Sequence, residues 1–177
     1  KRKSDKIHSS TIANKPYRVY LAAFAKNSQP RAPSIKNDRK ALDTIMKKKE
    51  KTNVMRLFDK HKIAYTSHFY EADEAVAGRE VAAVLGQNPQ QVFKTLVTVG
   101  KSGGHYVFVV PVTQELNLKK AAEAAGEKKI EMIKEKELLP LTGYVHGGCS
   151  PVGMKKLFPT VIDQSSLQQE TIMVSGG

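Results

Sequence analysis

Gln91-Val-Phe-Lys-Thr-Leu-Val-Thr-Val-Gly-Lys-Ser-Gly-Gly-His-Tyr-Val-Phe-Val-Val-Pro-Val112 is the stretch that decides how this chain folds. Val92 to Val99 reads as a strand with a period of two, and Lys101-Ser-Gly-Gly104 is a hairpin signal. His105 to Val112 then returns as a strongly β-prone strand. The alternation places Val92, Lys94, Leu96 and Thr98 on one face, so Lys94 shares that face with apolar neighbours. An ammonium there loses hydration. Periodicity leaves two readings open: an edge-strand lysine that blocks aggregation or snorkels to water, or a functional cation.

Around this hairpin, short elements of both kinds alternate. Thr52 can cap a helix carrying Val54, Leu57, Phe58 and His61 on one side, and Ala64 to Tyr70 reads as a strand. Val81, Val84 and Leu85 predict a short helix that Gly86 can end, and Asn88-Pro89 a helical turn before the hairpin. Leu116 to Ala125 predicts a helix ended by Gly126, Glu135 to Leu139 a shorter one, and Thr160 to Asp163 and Thr171 to Ser175 two further strands. The expected fold class is α/β of the mixed α+β kind, with short helices around a largely antiparallel sheet.

Charge divides the chain. Of 29 Lys/Arg and 17 Asp/Glu, residues 1–51 hold 15 and 4, which leaves the remainder close to neutral. Residues 1–45 show no sustained period and are expected to be a basic, disordered leader or non-native extension. Residues 46–177, beginning at Met46-Lys-Lys-Lys, are expected to form the folded domain. The high pI of about 9.7 therefore says little about the folded surface. No apolar run approaches the ~18 residues that span a bilayer; Tyr17 to Lys26 loosely imitates a signal-peptide cleavage region, but its apolar stretch is at the minimum length and starts late, so export is not expected. A single cysteine rules out an internal disulfide and fits a reducing cytoplasm.

A second segment, Gly147-Gly-Cys-Ser-Pro-Val-Gly-Met-Lys-Lys156, offers backbone amides to an anion or a carbonyl, although its glycines could equally form a tight connection. Gly148 and Gly153 have P-loop spacing, but Met154-Lys155 stands where Lys and Ser/Thr are required, which excludes a nucleoside triphosphate site. Cys149 with His146 nearby is weighed as a nucleophile, and a small buried filler is the favoured reading. The histidines show no metal-binding spacing, and Glu71, Asp73 and Glu74 read as a solvated loop.

From about Thr52 to Gly177 the chain resembles the YbaK/EbsC group of aminoacyl-tRNA editing domains, the Cys-tRNA(Pro) deacylases. The resemblance rests on Val92-Phe-Lys-Thr-Leu96, Leu116-Asn-Leu-Lys-Lys120, Lys128-Lys-Ile-Glu-Met132, Thr142-Gly-Tyr-Val-His-Gly-Gly-Cys-Ser-Pro-Val-Gly-Met-Lys-Lys156, Pro159-Thr-Val-Ile-Asp163 and Thr171-Ile-Met-Val-Ser-Gly-Gly177.

The resemblance implies a sheet curled around a pocket for the aminoacylated tRNA end, and hydrolysis in trans of cysteine wrongly attached to proline tRNA. Lys94 matches the family's essential lysine, so the resemblance decides for the functional cation. Gly147, Gly148 and Ser150 match the loop that lies along the substrate, and Tyr70, Thr95 and Ser175 match further pocket positions. The implied chemistry is substrate-assisted: the cysteine thiol attacks its own ester and leaves as a thiolactone, with no cofactor, metal or protein nucleophile. The implied partners are aminoacyl-tRNA and prolyl-tRNA synthetase. Two departures stand out. The family continues beyond Gly177, so the domain is expected to lack its C-terminal end, and Cys149 replaces another small or apolar residue. The competing reading is a catalytically silent tRNA- or synthetase-associated binding module.

Overall fold

A computed structural model describes residues 18–25, 51–71 and 78–177, the first of these as backbone only. In chain order the elements are β1 (Arg18–Ala25), α1 (Asn53–Lys60), β2 (Tyr65–Glu71), α2 (Gly78–Val84), β3 (Phe93–Gly100) and β4 (His105–Pro111). They are followed by α3 (Leu118–Ala125), β5 (Ile130–Met132), α4 (Glu135–Thr142), β6 (Thr160–Ile162), a 3-10 turn at Gln164–Gln168 and β7 (Thr171–Ser175). The mixed α/β class expected from the sequence is what forms.

The β3–β4 hairpin organises a four-stranded sheet of order β5-β3-β4-β6. Its turn closes through Gly103, whose φ of 86° suits glycine and whose N–H donates to Gly100 O at 2.9 Å. Pairing of β3 with β4 and β5 is antiparallel, whereas β6 lies parallel to β4. A second sheet, β2-β1-β7, is parallel throughout. The expectation of largely antiparallel pairing thus describes β5-β3-β4 and not the rest. Hairpins announce themselves by a turn, but β4–β6 and β1–β7 join strands distant in sequence, for which no local signal exists.

Residues 18–25, within the segment expected to be a disordered leader, form β1, which lies between β2 and β7. The physical reason is visible in Val19-Tyr-Leu-Ala-Ala-Phe24, a β-prone run suited to a strand with neighbours on both edges. The remainder of 1–45 lies outside the described residues.

Both faces of the hairpin are covered. Odd-numbered Phe93, Val97, Val107 and Val109 pack with Val54, Met55 and Phe58 of α1, with Cys149 and with Val174. Even-numbered Phe108 and Val110 pack against Ala121 and Ala122 of α3 and Ile130 of β5. Each large side chain so buried contributes roughly 1.5–3 kcal/mol of transfer free energy. The helices start and stop where the chemistry of their caps dictates. Thr52 Oγ1 accepts from Met55 N at 3.3 Å, and Asn117 Oδ1 accepts from Lys119 N and Lys120 N, both at 3.1 Å. Gly126 ends α3 with φ 69°. Among the described residues, no helix is long and apolar enough to cross a membrane.

Candidate functional site

The site arises from an interruption along one edge of β3. At its start, Met173 N of β7 donates to Gln91 O at 2.7 Å, and Val92 bridges Met173 in parallel. At its end, Thr98 to Gly100 pair with β5, and Ile133 N donates to Val97 O at 3.3 Å. Between these two attachments β7 and β5 diverge, and a cleft of about 690 Å³ opens. Peptide groups alternate sides along a strand. Gln91 and Val97 direct their carbonyls to this edge, so Thr95 presents both its N–H and its C=O to the opening.

Five of the sequence-predicted site residues meet in this cleft: Lys94, Thr95, Tyr70, Gly147 and Ser175. Lys94 comes from the α3-facing side of β3, opposite Val110 in the register, and its side chain is 25% exposed. Its ammonium lies 3.1 Å from Glu115 Oε1, on the segment between β4 and α3. Thr95 Oγ1 is buried and has no hydrogen-bond partner among the described residues, a polar atom left for something the cleft would hold. Tyr70 is 8% exposed, and burial raises its phenol above the usual tyrosine range. Gly147 adopts φ 81°, a left-handed conformation that suits glycine and brings its backbone to the cleft wall.

Gly148 and Ser150 are not among the residues that line this cleft. Gly148 N donates to Val145 O at 3.1 Å, closing the turn on itself. Ser150 is fully buried, and its Oγ accepts from Val152 N at 3.3 Å. Both groups are consumed in shaping the loop.

Three further charged side chains line the cleft. Arg79 and Glu115, unremarked in the sequence, arrive from α2 and from the β4–α3 connection, and Glu135 from the start of α4. Only tertiary packing brings them together. His146 and Cys149 also line the same wall. The Cys149 thiol is nevertheless a poor nucleophile, because burial pushes its pKa up to about 11, partly opposed by a hydrogen bond with Thr142. It sits in the apolar cluster beneath the sheet, in keeping with the filler reading. Among the described residues, no three His, Cys, Asp or Glu side chains are grouped to hold a metal ion.

Comparison with known proteins accords with this arrangement. Residues 73–177 match the model of the aminoacyl-tRNA editing domain. Over 132 residues the chain is 46% identical to a protein of Enterococcus faecalis described as a candidate Cys-tRNA(Pro)/Cys-tRNA(Cys) deacylase, EbsC, a match covering 74% of this chain and 80% of that one. A shorter stretch of 84 residues is 32% identical to a proline–tRNA ligase of Pelobacter propionicus, covering 48% of this chain and 15% of the ligase. Among solved structures, that of a candidate trans-editing enzyme for prolyl-tRNA synthetase superposes with a TM-score of 0.50 at 31% identity, covering 55% of this chain and 61% of that one. With its cleft built on the matched segment and a matched relative covered over most of its length, this chain belongs to the aminoacyl-tRNA editing domain family.

Proposed function

We propose that the protein is a trans-acting deacylase that removes mischarged amino acids from tRNA in the cytoplasm, with cysteine on proline tRNA as its substrate. The observation that carries this reading is the placement of Lys94 in the cleft at the open edge of β3. An ester carbonyl seated there gains negative charge as it becomes tetrahedral, and a fixed ammonium beside it lowers the barrier in the manner of an oxyanion contact. Thr95, Tyr70, Gly147 and Ser175 form the walls that would orient the aminoacyl end.

The nucleophile is assigned to the substrate. Its cysteine sulfur forms a bond to its own ester carbonyl carbon, the ester C–O bond breaks, and the thiol proton passes to the departing ribose oxygen. A thiolactone and uncharged tRNA result. The protonated state of Cys149 at neutral pH supports this assignment, because the thiol nearest the cleft is not primed to attack. The likeness to a proline–tRNA ligase and to a trans-editing neighbour supports proline tRNA as the carrier and prolyl-tRNA synthetase as a partner.

Deacylation of Cys-tRNA(Pro), Ala-tRNA(Pro) and Pro-tRNA(Pro) side by side tests the proposal. The expected result is rapid loss of cysteine and retention of proline. Binding of all three without turnover of any would instead assign the cleft to a silent binding module.

A further inference from the structure

We infer that Arg79 is the phosphate-binding residue of the cleft, gripping the phosphodiester next to the acylated nucleoside; the inference rests on the deacylase reading above. Arg79 lies on α2, is exposed, and lines the cleft. Its Nε donates to Val112 O at 3.2 Å and its Nη2 to Thr113 O at 2.7 Å. These two bonds hold one edge of the guanidinium against the end of β4. A guanidinium carries five N–H donors in a fixed fork, so three remain available.

Among the described residues, no carboxylate forms an ion pair with this group. The ion pairs among the described residues are Lys51–Asp59, Lys94–Glu115 and Lys129–Glu131. Lys94 thus enters the cleft already matched by Glu115, whereas Arg79 does not. Contacts also place the two cations in one neighbourhood. Arg79 is bonded to Thr113 O, Glu115 follows two residues later, and Glu115 reaches Lys94.

A strut tying α2 to β4 is the plainer account, but it requires only the two bonds to carbonyls. It leaves unexplained a guanidinium held on the wall of a cleft with no ion-pair partner among the described residues. A planar fork pre-set in this way suits bidentate recognition of a phosphate, and it loses little entropy on binding one. A tRNA 3′ end presents such a phosphate one nucleoside away from the ester that Lys94 would serve.

The test compares wild type with Arg79→Gln and Arg79→Lys on three substrates: cysteinyl-tRNA, 3′-cysteinyl-adenosine 5′-monophosphate and 3′-cysteinyl-adenosine. Arg79→Gln is expected to raise KM about tenfold on the first two with little change in kcat. It should be indistinguishable from wild type on the phosphate-free nucleoside. The slope of log KM against log salt on tRNA should fall by about 0.7, the value for one contact to a single strand. Arg79→Lys should restore the salt slope and only part of the affinity.

An unchanged KM and slope, or equal losses on all three substrates with a lowered melting temperature, would reduce Arg79 to a strut. Binding of uncharged tRNA across a salt series reads the same residue without turnover. A wild-type protein that hydrolyses nothing yet loses tRNA affinity through Arg79→Gln would therefore sink the deacylase and keep the phosphate anchor.

Discussion

Lys94 and Glu115 form an ion pair of unequal exposure: Nζ and Oε1 are 3.1 Å apart, with the lysine side chain 25% exposed and the glutamate 91%. Glu115 therefore touches the cleft cation from the solvent side and can leave it at small cost. Pairs this open to water contribute about 0.2–1 kcal/mol. An incoming ester can replace the carboxylate as the neighbour of the ammonium.

Glu115→Gln should accordingly lower KM by up to about fivefold without changing kcat, and should alter stability by less than about 1 kcal/mol. Lys94→Ala should lower kcat by on the order of 10²-fold or more while unfolding at nearly the wild-type urea concentration. The double variant should be as inactive as Lys94→Ala alone. Single-turnover deacylation and urea titrations supply both numbers. Parallel collapse of activity in Glu115→Gln would mean that the two side chains work as one unit, against the replaceable role given to the carboxylate.

Cys149 makes the folded protein sensitive to alkali. Its thiol titrates near 9.0 when unperturbed and at about 11 in the fold, where burial disfavours the thiolate. Between those values the unfolded chain has released a proton that the folded chain still holds. Stability therefore falls as pH rises from 9 to 11, by on the order of 2–3 kcal/mol at the upper end. Burial also raises the Tyr70 and Tyr144 phenols, which extend the alkaline loss above pH 10. Cys149→Ala should remove the part of the decline between pH 9 and 10 and keep turnover within about threefold of wild type at neutral pH, since the attacking thiol is not its own. Urea midpoints at pH 7, 9 and 10 make the comparison, and a normally folded but inactive variant would return the nucleophile to the protein.

Two glycines of the loop after α4 should respond to very different degrees to an added methyl. Gly153 has φ 74°, and a Cβ there would lie 2.9 Å from Leu57 Cδ1, 3.0 Å from Asn53 Nδ2 and 3.1 Å from Tyr144 Oη. Left-handed backbone and crowding together put Gly153→Ala on the order of 2–4 kcal/mol below wild type. At Gly148 the nearest atom is Val145 Cγ2 at an ordinary 3.6 Å. Gly148→Ala should unfold within about 1 kcal/mol of wild type. Thermal unfolding ranks the pair, and a reversed order would show that this loop is shaped differently.

Legibility followed the range of the interactions involved. The β3–β4 hairpin, the Thr52 cap and the Gly86 and Gly126 stops are written within a few residues of themselves, and they appear where the sequence places them. Lys94 is conspicuous because a charge on an apolar face conflicts with its surroundings, while the role proposed for it comes from the resemblance. Arg79 and Glu115 carry no such conflict, being ordinary charges on exposed segments until α2 and the β4–α3 connection fold against β3. Gly148 and Ser150 look like ligand-facing groups by composition, yet internal hydrogen bonds turn them inward. The parallel joins of β1 with β2 and β7 lie beyond any local pattern, which is why a short β-prone run in a basic segment reads as an unstructured arm.

A nucleophile supplied by the substrate separates cysteine from serine. Cysteine and serine differ by one atom and fill nearly the same volume, so a cleft that merely excludes large side chains should admit both. A thiol has a pKa near 8.5 and is a few per cent ionised at pH 7, whereas an alcohol is rarely ionised and weakly nucleophilic. Seryl-tRNA(Pro) should therefore bind with a KM within a few-fold of cysteinyl-tRNA(Pro) but turn over slower by on the order of 10²-fold or more. The cysteine rate should also climb between pH 6.5 and 8 as the substrate thiol ionises, with no such rise for serine. Mass spectrometry of the released product distinguishes a thiolactone from free cysteine. Comparable turnover of the two substrates, or a product that carries solvent oxygen from the first moment, would assign the attack to water and leave Lys94 as an oxyanion contact alone.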